Sequence, residues 1–183
     1  MIDERNRERL TQLASDTIAH GVLRGSEPAV DPGEWPPELR EIRASFVTLQ
    51  LYGELRGCIG SLDASHPLVK DVSIHAFGAA FRDPRFSAVS REEVDRLEIH
   101  ISVLSKPTPI CFGSETELLE LIRPGVDGLV LREGARRATF LPEVWQKLSD
   151  PGQFLAHLKL KAGLAGDHWS KSLTIERYTT ESW

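Results

Sequence analysis

Residues 44–61 read ASFVTLQLYGELRGCIGS, and this stretch decides the fold. From Ala44 to Leu51 apolar residues occupy alternate positions, which is the period of a β-strand with one buried face. Tyr52-Gly53-Glu54 supplies a turn, and residues 55–61 return as the second strand of a hairpin. The stretch therefore predicts a pair of antiparallel strands.

The segments around this hairpin alternate between helical and strand patterns. Helices are indicated by apolar residues three and four apart, by a stop at Gly25, and by a capping box at Ser114–Glu117. The predicted helices cover about residues 3–23, 67–82, 114–122 and 150–161, and the further predicted strands cover residues 98–105, 128–132, 137–141 and 173–178. A second capping box, Ser90–Glu93, predicts one more short helix. Because hairpins mix with helices and no regular βαβ alternation occurs, we expect the α+β class, with mixed or antiparallel sheets.

The size and charge of the chain limit the function classes. Its 183 residues suit one domain, residues 1–183, because a unit of this size buries roughly 70% of the surface of its unfolded form. It carries 27 acidic and 22 basic residues, for a net charge of −5. An acidic balance opposes binding along a nucleic-acid backbone, so nucleic acid is not an expected partner.

The cysteines and the amino terminus predict the cellular compartment. Cys58 and Cys111 are the two cysteines, and their spacing fits neither a zinc site nor a redox dithiol. The first ten residues, MIDERNRERL, lack the apolar run of a signal peptide. No apolar run approaches the roughly 20 residues that span a bilayer. We therefore expect a cytoplasmic protein with no membrane contact.

The segment Leu55–Gly60 is the candidate site. In an extended strand Arg56, Cys58 and Gly60 share one face, which puts a guanidinium near a thiol and favours the reactive thiolate. Gly57 and Gly60 weaken a strand, which indicates a bulge or the close approach of a ligand to the backbone. Their exposed amides are also suited to an anion.

Two interpretations of Cys58 stay open. An unpaired cysteine commonly packs as a small hydrophobe, and the alternative is a reactive thiol that needs a nearby base. Among six histidines, His75 lies on the helix that follows the cysteine strand, and His100 projects from the polar face of a later strand. Since the histidines show no paired spacing and no carboxylate cluster, we predict neither a metal nor a cofactor.

Four motifs in order resemble the AMMECR family, whose prokaryotic members are called AmmeMemoRadiSam system protein A. They are LRGCIG at 55–60, DPRF at 83–86, ATFLPEV at 138–144 and KAGL at 161–164. The resemblance spans residues 14–178. It implies a two-lobed α+β fold, with a larger lobe from the amino- and carboxyl-terminal parts and a smaller lobe from the middle.

The resemblance also implies where the site lies and which proteins share its pathway. The six-residue motif lies near the cleft between the lobes in this family, whose members are thought to be enzymes. Association with a Memo-like protein and a radical SAM protein makes those two the implied partners.

Two departures from the family pattern concern residues near the implied site. Where many relatives have histidine, this chain has Asp127, so a base at that position is not expected. The segment that begins at His157 lacks a cysteine that some relatives place there, which disfavours a mechanism with two thiols.

Two hypotheses follow. The first is an enzyme acting on a small anionic molecule, with Cys58 as nucleophile or thiol acid/base, Arg56 as electrostatic support and His75 as base. In it Gly57 and Gly60 bind through their backbone, and Arg85 and Lys161 are auxiliary cationic contacts. The second is a non-catalytic adaptor in which Cys58 merely packs and the glycines admit a ligand or a partner peptide.

Overall fold

The computed structural model describes residues 1–183, which form four helices and eight strands. Two compact units make up the chain. The first unit consists of residues 1–104 and 181–183, and the second unit consists of residues 105–180. None of the helices is both long enough and apolar enough to cross a membrane.

Local side-chain caps start three of the four helices. The carboxylates of Asp3 and Asp150 and the hydroxyl of Ser114 each accept the amide three residues ahead, which satisfies an otherwise unpaired donor. The first helix ends at Gly25, whose φ of 69° lies in the left-handed region that glycine tolerates. The helices are α1 (Glu4–Arg24), α2 (Leu68–Phe81), α3 (Glu115–Leu121) and α4 (Pro151–Lys161).

A four-stranded antiparallel sheet forms the first unit together with α1 and α2. Its strands are β1 (Ser45–Leu51), β2 (Glu54–Gly60), β3 (Leu97–Leu104) and β8 (Thr180–Ser182), in the order β2-β1-β3-β8. Val47, Leu49 and Ile101 are fully buried in the same core as the apolar faces of the two helices. The other face of the sheet carries the polar residues of each strand, and β2 lies at its edge.

A second four-stranded antiparallel sheet forms the second unit together with α3 and α4. Its strands are β4 (Thr108–Pro109), β5 (Gly128–Glu133), β6 (Arg136–Phe140) and β7 (Thr174–Tyr178), in the order β4-β7-β5-β6. Its core contains Phe154, which is fully buried and stacks on Trp145 with ring centroids 3.7 Å apart. Each unit therefore has a hydrophobic core of its own.

The predicted α+β class, with antiparallel sheets built from hairpins, is confirmed. The short strands β4 and β8 were not predicted, because two or three residues are too few to show an alternation. Between α1 and β1 the chain forms two 3-10 helices, Pro32–Glu34 and Pro37–Arg40. The capping box at Ser90 is followed only by a three-residue 3-10 helix, Val94–Arg96. That the whole chain is one domain stays a prediction.

Candidate functional site

Cys58 lies on edge strand β2, and its side chain points away from the helices. Its neighbours Gly57 and Ile59 face α2, because successive residues of a strand point to opposite faces of the sheet. Cys58 pairs with Thr48 of β1, and the Thr48 hydroxyl donates a hydrogen bond to the Cys58 Sγ over 3.2 Å. The cysteine is half-buried and forms no disulfide. Cys58 is therefore a partly exposed residue whose sulfur accepts a hydrogen bond on the helix-free face of the sheet.

The peptide of Cys58 is held by the segment that follows α2. The Cys58 amide donates to Asp83 Oδ2 over 2.9 Å, and the Cys58 carbonyl accepts from Arg85 Nη2 over 3.3 Å. Arg85 in turn binds both carboxylate oxygens of Asp83, at 2.9 and 2.7 Å. These two side chains give the edge strand the hydrogen bonds that a neighbouring strand would otherwise supply.

The same contacts fix the charge state of Asp83. Its carboxylate is buried, at 5% exposure, yet it accepts hydrogen bonds from the Arg85 side chain and from the amides of Cys58 and Arg85. The Arg85 hydrogen bond, followed by the two amides, holds the pKa of Asp83 well below its ordinary value. Asp83 is consequently a fixed carboxylate at neutral pH and is unsuited to act as a proton acceptor.

Arg56 does not support the sulfur in the way the strand alternation predicts. Its Nε and Nη2 bind the two carboxylate oxygens of Glu93 at 2.7 and 3.1 Å, and its Nη1 donates to the Ser87 carbonyl over 2.9 Å. The hydrogen bonds from the Arg56 side chain and the Ser90 amide lower the pKa of Glu93 to about 2. Arg56 thus ties the edge strand to the segment before β3.

A bulge explains why the alternation misplaces Arg56. Leu49 pairs with Gly57 whereas Gln50 pairs with Leu55, so Arg56 is an extra residue without a partner on β1. Leu55, and not Arg56, therefore lies on the same face as Cys58. The bulge that the glycines indicated is present, and it precedes Gly57.

Gly57 and Gly60 are required by protein packing, and a ligand at their backbone stays a prediction. A Cβ at Gly57 would lie 2.1 Å from the carbonyl oxygen of Ala79 in α2. A Cβ at Gly60 would lie 2.2 Å from the ring of Phe46. The close approach that these glycines permit is made by a helix backbone and by a phenyl ring.

His75 lies on the other face of the sheet from Cys58, and its role as the base stays a prediction. It is buried on α2, where its Nδ1 lies 3.1 Å from Asp71 Oδ2 and 3.3 Å from Ser45 Oγ. Ser45 and Thr48 face opposite sides of β1, since side chains alternate along a strand. His75 therefore lies on the helix-covered face, and Cys58 lies on the other.

His100 is the histidine that shares the face of Cys58. It is exposed on β3 and pairs with Thr48, which in turn pairs with Cys58, so the three residues form one row across three strands. Strands lie about 4.8 Å apart, so His100 is about 10 Å from Cys58 between backbones, with Thr48 between them. Thr48 was not among the predicted site residues, although the polar face of β1 is its signal in the sequence.

The two predicted cationic contacts, Arg85 and Lys161, lie in different units. Arg85 lies in the first unit beside Cys58, with its side chain 54% exposed. Lys161 lies at the end of α4 in the second unit, where its Nζ donates to the Thr139 carbonyl over 3.0 Å and stands 5.1 Å from the Phe140 ring centroid. Asp127 is fully buried and pairs with Arg123 and Arg177, as a structural carboxylate does.

The fold and the motifs can be compared with known proteins. The sequence model of the AMMECR1 family matches residues 11–183. A protein of Methanothermobacter thermautotrophicus is 40% identical over 146 residues, which is 79% of this chain and 76% of that protein. A protein of Thermococcus gammatolerans is 39% identical over 183 residues, which is 95% of this chain and 87% of that protein.

A solved structure has the same fold. The crystal structure of the uncharacterized protein PH0010 from Pyrococcus horikoshii is 36% identical to this chain and superposes with a TM-score of 0.78. The match covers 96% of this chain and 89% of that one. The likeness therefore extends over nearly the full length of both.

Proposed function

Because this chain belongs to the AMMECR1 family, whose LRGCIG segment it carries intact, we propose that it is a thiol-dependent enzyme for a small anionic substrate. Cys58 acts as nucleophile or thiol acid/base on the helix-free face of the first sheet. The observation that carries this proposal is the Cys58 sulfur itself. It is partly accessible and hydrogen-bonded by Thr48, and its peptide is clamped by Asp83 and Arg85.

A cation for the substrate is supplied by Arg85 rather than by Arg56. Arg85 uses Nε and Nη2 for Asp83 and Cys58, and more than half of its side chain is exposed to solvent. The exposed part of this positive charge attracts an anion. Arg56, committed to Glu93, has a positioning role.

The base in this proposal is His100, the alternative to His75 on the correct face. The Thr48 hydroxyl donates to the sulfur, and in this proposal His100 on the neighbouring strand accepts the thiol proton.

A non-catalytic adaptor is the second candidate, and specific contacts favour it. The spaces at Gly57 and Gly60 are filled by the protein, and Arg56 and Asp83 are used in internal ion pairs. In this alternative the motif builds a rigid edge for a partner, and Cys58 is a packing residue. The Memo-like and radical SAM proteins stay predicted partners. The cytoplasmic location and the cleft between the lobes also stay predictions.

The rate of alkylation separates the two candidates. We expect iodoacetamide to modify Cys58 at neutral pH at least about tenfold faster than Cys111, because the proposed nucleophile must be the more reactive of the two sulfurs. Cys111 is an exposed free cysteine in the second unit and provides the control within the same molecule. Peptide mass spectrometry measures both rates against pH.

Substitution of Arg85 and Thr48 completes the experiment. The Arg85→Gln and Thr48→Val variants should each slow alkylation of Cys58 while leaving the rate at Cys111 unchanged. The Arg85→Lys variant should retain most of the Cys58 alkylation rate. If Cys58 reacts no faster than Cys111 in the unsubstituted protein, the enzyme proposal is wrong and the adaptor is favoured.

A further inference from the structure

A groove in the second unit lies outside the site described above. It has a volume of about 740 Å³ and opens where the chain after β4 leaves β7. The last backbone hydrogen bond between them runs from the Ile110 amide to the Ile175 carbonyl over 2.9 Å. Its lining includes residues 111–113, residues 169–171 and the first residues of β7. The volume lies in the range of small-molecule sites.

Two aromatic rings form one end of the groove. Phe112 and Trp169 lie with ring centroids 5.6 Å apart and planes tilted by 53°. Trp169 is an exposed large apolar side chain, at 36% exposure. The Nζ of Lys159, a fully buried lysine, stands 5.9 Å from the Trp169 ring centroid. An indole that is backed by a cation and open to a groove offers a flat surface for another ring.

The loop that carries Trp169 is held in place without any ligand. The hydroxyls of Ser170 and Ser172 donate to the same carboxylate oxygen of Glu133, over 2.7 and 2.8 Å. These two hydrogen bonds lower the pKa of Glu133, so the carboxylate that anchors the loop is ionised at neutral pH. An organised wall reduces the entropy lost when a ligand binds.

The charges that line the groove favour an anion. Arg132 and Lys171 are positive and Glu176 is negative, so the lining has a surplus of one positive charge in a chain of net charge −5. Arg132 contacts Glu176 at 3.3 Å and is 48% exposed, and Lys171 is exposed. Because Glu176 pairs with Arg132, Lys171 is the exposed cation that the lining leaves for an anion.

We propose that this groove binds a small molecule with a planar aromatic ring and an anionic group, the ring against Trp169 and Phe112 and the anion toward Lys171 and Arg132. The site is independent of Cys58 and goes beyond the proposed thiol chemistry. An exposed lysine near two aromatic rings favours an aromatic anion over a neutral ring of the same shape.

A matched pair of probes tests the proposal on the full chain. 2-Naphthoate carries the ring and the charge, and 2-naphthamide has the same shape without the charge. In protein-observed NMR, we expect naphthoate to shift the indole N–H signal of Trp169, which the Trp169→Phe variant identifies among the four tryptophans. The neutral amide should bind at least about fivefold more weakly.

Variants of the lining extend the test. Trp169→Leu should abolish binding, and Trp169→Phe should retain it within about threefold because a ring remains. Lys171→Gln and Arg132→Gln should each weaken naphthoate by about threefold, whereas Lys147→Gln, an exposed lysine outside the groove, should have no effect. The proposal is overturned if naphthoate shifts no Trp169 signal, if the amide binds equally well, or if the Lys171 and Arg132 variants bind as the unsubstituted protein does.

Discussion

At the residue scale, the backbone of Cys58 has a structural role and its sulfur has the proposed chemical role. Its amide and carbonyl are bound by Asp83 and Arg85, whereas its sulfur receives a single hydrogen bond from Thr48 on the open face of the sheet. A backbone held on both sides restricts where the sulfur can move. This is the support that a reactive side chain needs from its surroundings.

Asp83→Asn tests the clamp. The buried carboxylate accepts two amides and a guanidinium, so we expect the free energy of unfolding at neutral pH to fall by about 2 kcal/mol. Because folding lowers the pKa of Asp83, its stabilising effect is full above the ordinary carboxyl pKa and is lost as the pH falls below about 4. The difference between the two proteins in urea unfolding should therefore shrink in acid.

Asp167→Asn is the matched control for that measurement, since Asp167 is exposed. It should change the free energy of unfolding by less than about 0.5 kcal/mol. An Asp83 variant as stable as this control at neutral pH would contradict the proposed clamp.

At the scale of elements, β2 is fitted to α2 by its small residues. Gly57 lets the Ala79 carbonyl of the helix approach the strand, and a Cβ at Gly78 of the helix would lie 3.0 Å from the Ile59 side chain. Strand and helix thus meet backbone to backbone at one point. That contact sets the depth of β2 against the helix and the face on which Cys58 emerges.

Gly57→Ala measures the importance of this contact. The added methyl group would overlap a backbone oxygen that cannot move without shifting α2, so we expect a loss of about 3 kcal/mol in the free energy of unfolding. Chemical denaturation gives the value. Gly166→Ala is the control, because its Cβ would meet its nearest neighbour at an ordinary 3.7 Å and should be close to neutral. Equal effects of the two substitutions would rule out the close contact at Gly57.

At the scale of the whole molecule, each unit has its own core, and the core of the second unit centres on aromatic residues. Phe154 lies between Trp145, which it stacks on at 3.7 Å, and Phe140, whose ring centroid is 5.3 Å away edge-on. Both α4 and β6 contribute to this cluster. The aromatic cluster therefore joins the helix to the sheet of this unit.

Phe154→Ala should lower the free energy of unfolding by about 4 kcal/mol, because it removes a fully buried ring and leaves a cavity. Hydrogen exchange should show the loss of amide protection in β5 of the same unit. Leu160→Ala, on the same helix but 55% exposed, should cost less than about 0.5 kcal/mol. A comparable cost for both variants would mean that the aromatic cluster is not the core of the unit.

Much of the architecture was determined by the sequence alone. The alternation in β1, the stop at Gly25, the capping boxes and the hairpins depend on residues close together in the chain, and such local patterns can be read in order. The prediction that Arg56 and Cys58 share one face depended on the same alternation, and the bulge at Arg56 interrupts it. The contacts of the site were not predicted at this level.

Only the tertiary structure decided which groups serve Cys58. A single residue without a partner on β1, Arg56, shifts the register so that Thr48 faces Cys58. Residues far apart in the chain also form pairs: the Asp83 side chain binds the Cys58 amide, 25 positions away, and the Glu93 side chain binds Arg56, 37 positions away. The tertiary structure also places His75 on the opposite face of the first sheet from Cys58. A bulge of one residue reverses the faces of a strand, and contacts between distant segments depend on how elements pack, which no local pattern records.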